Sequence, residues 1–165
     1  MIVLVLGGTR SGKSAIAERI VSTLPEPVTY VATARAAGDT DFEARIAKHR
    51  ARRPSSWHTV EEADDLATRL LELEGTVLVD SIGAYIAGRP DFATDVDALC
   101  RACTGRRGDT VLVSEEVGLA VHPPTEAGRR FTDAVGDCNR QLAEVANRAL
   151  LVVAGRTLEL GAVDA

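Results

Sequence analysis

Gly7-Gly8-Thr9-Arg10-Ser11-Gly12-Lys13-Ser14 follows the apolar run Ile2-Val3-Leu4-Val5-Leu6 and leads into Ala15-Ile16-Ala17-Glu18-Arg19-Ile20-Val21. The octapeptide fits G-x-x-x-x-G-K-[ST] without a gap, and strand, glycine loop and helix form the context that a phosphate-binding loop needs. Glycines let the backbone curl until several N–H groups point at one anion. A helix starting near Gly12 adds the positive end of its dipole. Lys13 can then reach β- and γ-phosphates, and the Ser14 hydroxyl can hold Mg²⁺. A glycine turn that merely precedes a lysine has no need of those flanks. Lys13 and Lys48 are the only lysines in a chain that otherwise draws its positive charge from arginine.

The 165 residues fit one domain, 1–165, with a sizeable core. Hydrophobic residues make up 45%, which is ordinary for a globular chain, and the net charge of −5 gives no general reason to expect nucleic acid as a partner. No apolar stretch is long enough to span a bilayer. Met1 runs straight into a strand without a basic flank or a cleavage site, so a cytoplasmic protein is expected. Cys100-Arg101-Ala102-Cys103 invites a zinc or redox reading, but the other available ligands are Cys138 and three scattered histidines. Its place inside a helical pattern, 95–104, favours two small half-buried residues on one helix face.

Short, nearly continuous apolar runs at 2–6, 28–32, 76–79, 110–113 and 149–154 have the pattern of strands buried on both faces. Helical patterns lie between them at 14–24, 39–53, 61–73 and 125–147, the last with a bend allowed near Gly136. This alternation predicts a mostly parallel central sheet with helices on both faces. In such a sheet ligands bind outside the carboxyl ends of the strands. Those ends carry the glycine loop, then Thr33-Ala34-Arg35, Asp80-Ser81, Ser114-Glu115-Glu116 and Gly155-Arg156.

Asp80 closes the apolar strand Thr76-Val77-Leu78-Val79, the pattern of an acid that holds Mg²⁺ on bound phosphates. An acidic helix cap is the alternative. Arg45, Lys48, Arg50, Arg52 and Arg53 surround His49 in an otherwise acidic chain. A solvated helix end also gathers cations, but positive neighbours keep an imidazole neutral and nucleophilic, and they draw a phosphate chain toward it. His58 and His122 are weaker candidates for chemistry.

Together these residues resemble the bifunctional adenosylcobinamide kinase / adenosylcobinamide-phosphate guanylyltransferase family of cobalamin biosynthesis. The likeness runs through Arg10 inside the loop, Tyr30-Val31-Ala32-Thr33-Ala34, Arg45-Ile46…His49…Arg52-Arg53-Pro54, Trp57, Glu61 and Val77-Leu78-Val79-Asp80. It continues through Glu116-Val117-Gly118, Pro124, Arg130-Phe131-Thr132-Asp133, Gly136, Asn139 and Val152-Val153-Ala154-Gly155. The resemblance implies a three-layer α/β P-loop NTPase of RecA-like type and a homotrimer. It implies phosphorylation of adenosylcobinamide, followed by GMP transfer from GTP onto adenosylcobinamide phosphate. ATP and GTP are then substrates, Mg²⁺ the cofactor and His49 the carrier of GMP. The nucleotide site carries over to Gly7, Gly8, Thr9, Arg10, Ser11, Gly12, Lys13, Ser14, Thr33, Ala34, Arg35, Arg50, Ala51, Arg52, Arg53, Glu61 and Asp80, with Ser14 and Asp80 at the metal.

Three departures stand out. Gly83 and Gly88 lack the polar side chains usual after the strand-ending acid, Glu115 stands where asparagine is usual, and Leu158-Glu159-Leu160 lacks the usual proline and lysine. Two rival readings use the same loop: another small-molecule P-loop kinase, or a GTP-binding switch protein without small-molecule chemistry. Neither needs a nucleotidylated histidine.

Overall fold

The computed structural model describes residues 1–34 and 53–161. In chain order the elements are β1 (Ile2–Gly7), α1 (Lys13–Val21), β2 (Val28–Ala32), β3 (His58–Glu61), α2 (Leu66–Glu72), β4 (Thr76–Asp80) and α3 (Ile82–Ala87). A 3-10 turn (Pro90–Phe92), α4 (Val96–Gly105), β5 (Thr110–Glu115), α5 (Glu126–Val145), β6 (Arg148–Val153) and β7 (Arg156–Leu160) complete them. The sheet order is β3-β2-β4-β5-β1-β6-β7. Every pairing is parallel except that of β6 with β7. The acid-ending strand β4 is therefore separated from the phosphate-loop strand β1 by β5.

Strand alternation sorts the core into two layers. Leu4, Leu112, Val77 and Val79 pack with Leu66, Leu70, Ile82, Leu99, Val135 and Leu142 beneath α2, α3, α4 and α5. Val3, Val5, Val111 and Val113 pack with Ile16, Ala17 and Val21 of α1 on the other face. Helices therefore cover both faces, as the β/α alternation predicts. Four of the described helices start on side-chain caps: Asp65 accepts from Thr68 N at 3.0 Å, Ser81 from Ala84 N at 3.2 Å, Asp95 from Ala98 N at 2.8 Å and Thr125 from Gly128 N at 3.1 Å.

The sheet's amino edge is tied together by Arg106, which is buried. Its Nε donates to Leu70 O at 3.2 Å, and Nη1 donates to Asp109 O and Thr110 Oγ1 at 2.7 and 3.0 Å. Nη2 donates to Leu73 O and Gly75 O at 3.1 and 2.8 Å. One guanidinium so joins the end of α2, the turn into β4 and the start of β5.

Several boundaries differ from the sequence reading. The helix expected over 61–73 is shorter: Glu61 ends β3, paired with Ala32 of β2, and α2 begins only at Leu66. The cause is Glu62, whose carboxylate accepts from the N–H groups of Asp64 and Asp65 at 2.8 and 2.9 Å and folds a turn ahead of the cap. The run 149–154 is not buried on both faces: Val153 and Ala154 are exposed, and the chain turns at Ala154-Gly155 into β7, an exposed antiparallel edge. α5 runs unbroken past Gly136. Cys103 is buried and Cys100 half-buried on α4, where burial pushes the Cys103 thiol up to about 12, as expected of packing residues. The helix expected over 39–53 lies, except for Arg53, outside the described residues. No described helix is long and apolar enough to cross a membrane.

Candidate active site

The carboxyl ends of β1, β4 and β5 meet at the glycine loop. Gly7 must be glycine, because a Cβ there would come within 2.8 Å of Val152 O. Gly12 adopts φ +95°, and a Cβ there would sit 3.3 Å from Gly155 Cα. The loop is braced from within by Ser11 N donating to Gly8 O at 3.2 Å and Lys13 N to Ser11 Oγ at 3.3 Å. It is backed from outside by Gly155 N, which donates to Ser11 O at 2.7 Å from the β6–β7 turn. Gly8, Thr9 and Arg10 are exposed, while Ser11, Gly12, Lys13 and Ser14 are partly so. The loop presents the first turn of α1, with Lys13 and Ser14, to the edge where a ligand would lie.

Lys13 Nζ faces Glu115 Oε1 at 3.5 Å. That carboxylate ends β5, in register with Gly7 of β1. Ser81 Oγ donates to it, at 2.9 Å from Oε1 and 3.1 Å from Oε2, while capping α3. Asn139 of α5 fixes the backbone there by donating from Nδ2 to Glu115 O at 2.9 Å. The carboxyl group fits because residue 83 is glycine: a Cβ on Gly83 would lie 2.8 Å from the Glu115 carboxyl carbon and 3.3 Å from its Cγ.

Asp80 ends β4 and accepts from the Tyr30 hydroxyl at 3.0 Å on Oδ2. Burial, then the nearby Asp80 charge, push the Tyr30 phenol above its ordinary value, so it stays a donor. The Arg53 guanidinium stacks on the Tyr30 ring, its central carbon 3.6 Å from the centroid, and Nη1 donates to Thr59 Oγ1 at 3.3 Å. Thr33 is only 1% exposed; its Oγ1 donates to Ser81 O at 2.6 Å and accepts from Ser81 N at 2.9 Å. It clamps the turn after β4 from the end of β2.

This arrangement gathers Gly7 to Ser14, Thr33, Asp80 and, through Tyr30, Arg53 at one edge. Ala34 follows Thr33 there, and Glu61 ends β3 beside Ala32 as an exposed residue. His58 and His122 are exposed. Arg35, His49, Arg50, Ala51 and Arg52 lie outside the described residues. Ser81 and Tyr30 were not singled out as chemistry-bearing by sequence, although each adjoins or shares a motif that was.

A loop with a lysine, a hydroxyl, and carboxylates from two neighbouring strands is suited to binding and cutting a nucleoside triphosphate. Residues 3–160 match the model of the family described as CobU, cobinamide kinase / cobinamide phosphate guanyltransferase. The chain belongs to this family. A bifunctional adenosylcobalamin biosynthesis protein CobP of Pseudomonas aeruginosa is 39% identical, covering 95% of both chains. The bifunctional adenosylcobalamin biosynthesis protein CobU of Escherichia coli is 34% identical over 94% of this chain and 97% of its own. Among solved structures, an ATPase from the type III secretion system of pathogenic bacteria superposes with a TM-score of 0.57 at 10% identity over 91% of this chain. The P4 protein of bacteriophage phi6 with ADP gives 0.50 at 14% identity over 95%. The chain spans about half of each, 50% and 53%, and the likeness shows the P-loop NTPase fold.

Asp80 and Ser14 offer the hard oxygen donors that Mg²⁺ prefers. Among the described residues no group of three or more His, Cys, Asp or Glu gathers as a metal site. The Tyr30 hydroxyl on Oδ2 steadies the Asp80 carboxylate.

Proposed function

We propose that this CobU-family chain phosphorylates the hydroxyl of adenosylcobinamide and then transfers GMP from GTP to the resulting phosphate, giving adenosylcobinamide-GDP and pyrophosphate. The observation that carries the reading is the glycine loop with Lys13, and Asp80 at the end of the acid-closed strand on the same edge, in a chain matching a two-activity family over nearly its whole length. Both reactions start from a triphosphate, so one loop serves both. In the first, Lys13 and the loop amides hold the β- and γ-phosphates while the alcohol attacks the γ-phosphorus. In the second, the same groups hold what becomes the leaving pyrophosphate.

Ser14 and Asp80 would hold Mg²⁺, which when bound neutralises charge on the phosphate oxygens. His49 supplies the attacking lone pair in guanylyl transfer: a nitrogen–phosphorus bond forms at the α-phosphate, and the bond to the bridging oxygen breaks, its electrons leaving with pyrophosphate. A phosphate oxygen of adenosylcobinamide phosphate then displaces the imidazole. Arg50, Arg52 and Arg53 offset charge around the transfer, a role for Arg53 that its stacking on Tyr30 supports. Gly7, Gly8, Thr9, Arg10, Ser11 and Gly12 wrap the phosphates, while Thr33, Ala34, Arg35, Ala51 and Glu61 border the nucleoside. The working assembly is a homotrimer in the cytoplasm.

The test is product analysis by mass spectrometry after incubating the protein and Mg²⁺ with adenosylcobinamide and ATP or GTP. Adenosylcobinamide phosphate should appear first, and adenosylcobinamide-GDP whenever GTP is present. Hydrolysis of GTP with no corrinoid product would instead support a switch protein.

A further inference from the structure

The Glu115 carboxylate is an unexpected group to find at a phosphate cradle. It lies 3.5 Å from the lysine whose partner in a working complex is a phosphate, and a fixed anion there opposes triphosphate binding. It is nevertheless built in. Ser81 donates to it from a helix cap, and that hold does not depend on Lys13. Asn139 pins its backbone. Gly83 leaves the space that the carboxyl group occupies. Its side chain is 29% exposed and keeps acceptor capacity, since a carboxylate has about four lone-pair positions.

The neighbouring acids are committed elsewhere. Glu116 accepts from the N–H groups of Gly118 and Leu119 at 2.8 and 3.1 Å and caps a turn. Asp80 takes the Tyr30 hydroxyl and stands where the metal is expected. We propose that Glu115, seated in the space left by Gly83, is the proton acceptor for the substrate hydroxyl in phosphoryl transfer. This rests on the kinase half of the proposed function. As the alcohol oxygen bonds to the γ-phosphorus, its proton passes to a Glu115 oxygen. The bond from the γ-phosphorus to the β,γ-bridging oxygen breaks, and the electron pair leaves on the nucleoside diphosphate, where Lys13 offsets the charge. The proton is later returned to water. Guanylyl transfer makes no such demand, because a neutral imidazole attacks through a lone pair and the corrinoid phosphate is already ionised.

The experiment measures both activities separately in the parent, Glu115→Gln, Gly83→Ala and the double variant, with guanylyl transfer started from ready-made adenosylcobinamide phosphate. A parent without kinase activity would sink the underlying functional reading; only with an active parent is Glu115 itself under test. Glutamine keeps the shape and the Ser81 contact but takes no proton. Kinase kcat should fall about a hundredfold, the lower end for a general base because the transition state is loose, while guanylyl-transfer kcat at saturating GTP stays within about threefold. Gly83→Ala keeps the carboxylate but displaces it, so it too should slow the kinase selectively. The double variant should fall no further than Glu115→Gln alone, since both changes disable one group. Kinase kcat in Glu115→Gln within about threefold of the parent, or equal loss of both activities, would overturn the proposal. So would independent, multiplying effects of the two substitutions.

Discussion

Two cations lie at opposite edges of the same sheet, and their surroundings differ in kind. Arg106, at the amino edge, donates to four carbonyls and a hydroxyl at 2.7 to 3.2 Å. Every direction its planar fork can reach is filled by protein. Lys13, at the carboxyl edge, faces among the described residues one carboxylate at 3.5 Å, too long for a tight charge-assisted hydrogen bond. A cation with all its donors spent on backbone is architecture. A cation with spare donors, held over a glycine loop by one loose ion pair, is ready to exchange that partner for a ligand.

The contrast can be broken at either edge. Lys13→Ala should lower both phosphoryl and guanylyl transfer by roughly two to four powers of ten, as deletion of a key electrostatic stabiliser does. Its unfolding midpoint in urea should barely move; near-normal rates in either assay would remove that activity from the glycine loop. Arg106→Met should do the reverse. It leaves buried carbonyls without donors, so stability should drop by about 2–4 kcal/mol. Turnover per folded molecule, measured well below the midpoint, should be unchanged; a selective loss of kcat would mean the amino edge communicates with the site.

Two smaller effects sharpen the picture at the carboxyl edge. Asp80→Asn keeps the shape and removes the charge proposed to face Mg²⁺, so turnover should fall by about two powers of ten and recover in part as magnesium is raised. Unchanged magnesium dependence would make Asp80 a structural strand end. Tyr30→Phe removes only the hydroxyl that orients Asp80 and keeps the ring under Arg53. A loss of about tenfold, seen mainly as weaker apparent magnesium affinity, is expected of an outer-shell partner. A loss equal to that of Asp80→Asn would show that Tyr30 contacts the substrate itself.

What the sequence made legible follows from the range of the forces involved. The glycine loop and the acid that closes β4 are local patterns set by contiguous residues, and both stand where the apolar runs predict. The buried strands β1, β4 and β5 were visible because central strands are apolar on both faces. β7 was not visible: Arg156-Thr157-Leu158-Glu159-Leu160 is exposed along its length and pairs, among the described strands, only with β6. Glu61 was misplaced into a helix because Leu66, Leu70 and Leu73 repeat at helical spacing and do pack in the core, whereas the Glu62 turn that delays the helix is a side-chain bond without a periodic signature. Gly83 and Glu115 were each noticeable as departures from the family pattern. That they are two halves of one contact, 32 positions apart in the chain, appears only when β5 is laid beside β4.

The most direct test of the account is covalent: whether label from the α-phosphate of GTP becomes attached to the protein. The parent should take up label in an acid-labile, base-stable bond, as a phosphorus–nitrogen link behaves, and should release it onto added adenosylcobinamide phosphate. His49→Ala should take up none, while its phosphorylation of adenosylcobinamide largely survives. A protein that makes adenosylcobinamide-GDP without ever carrying the label, or a His49→Ala variant labelled like the parent, would contradict it.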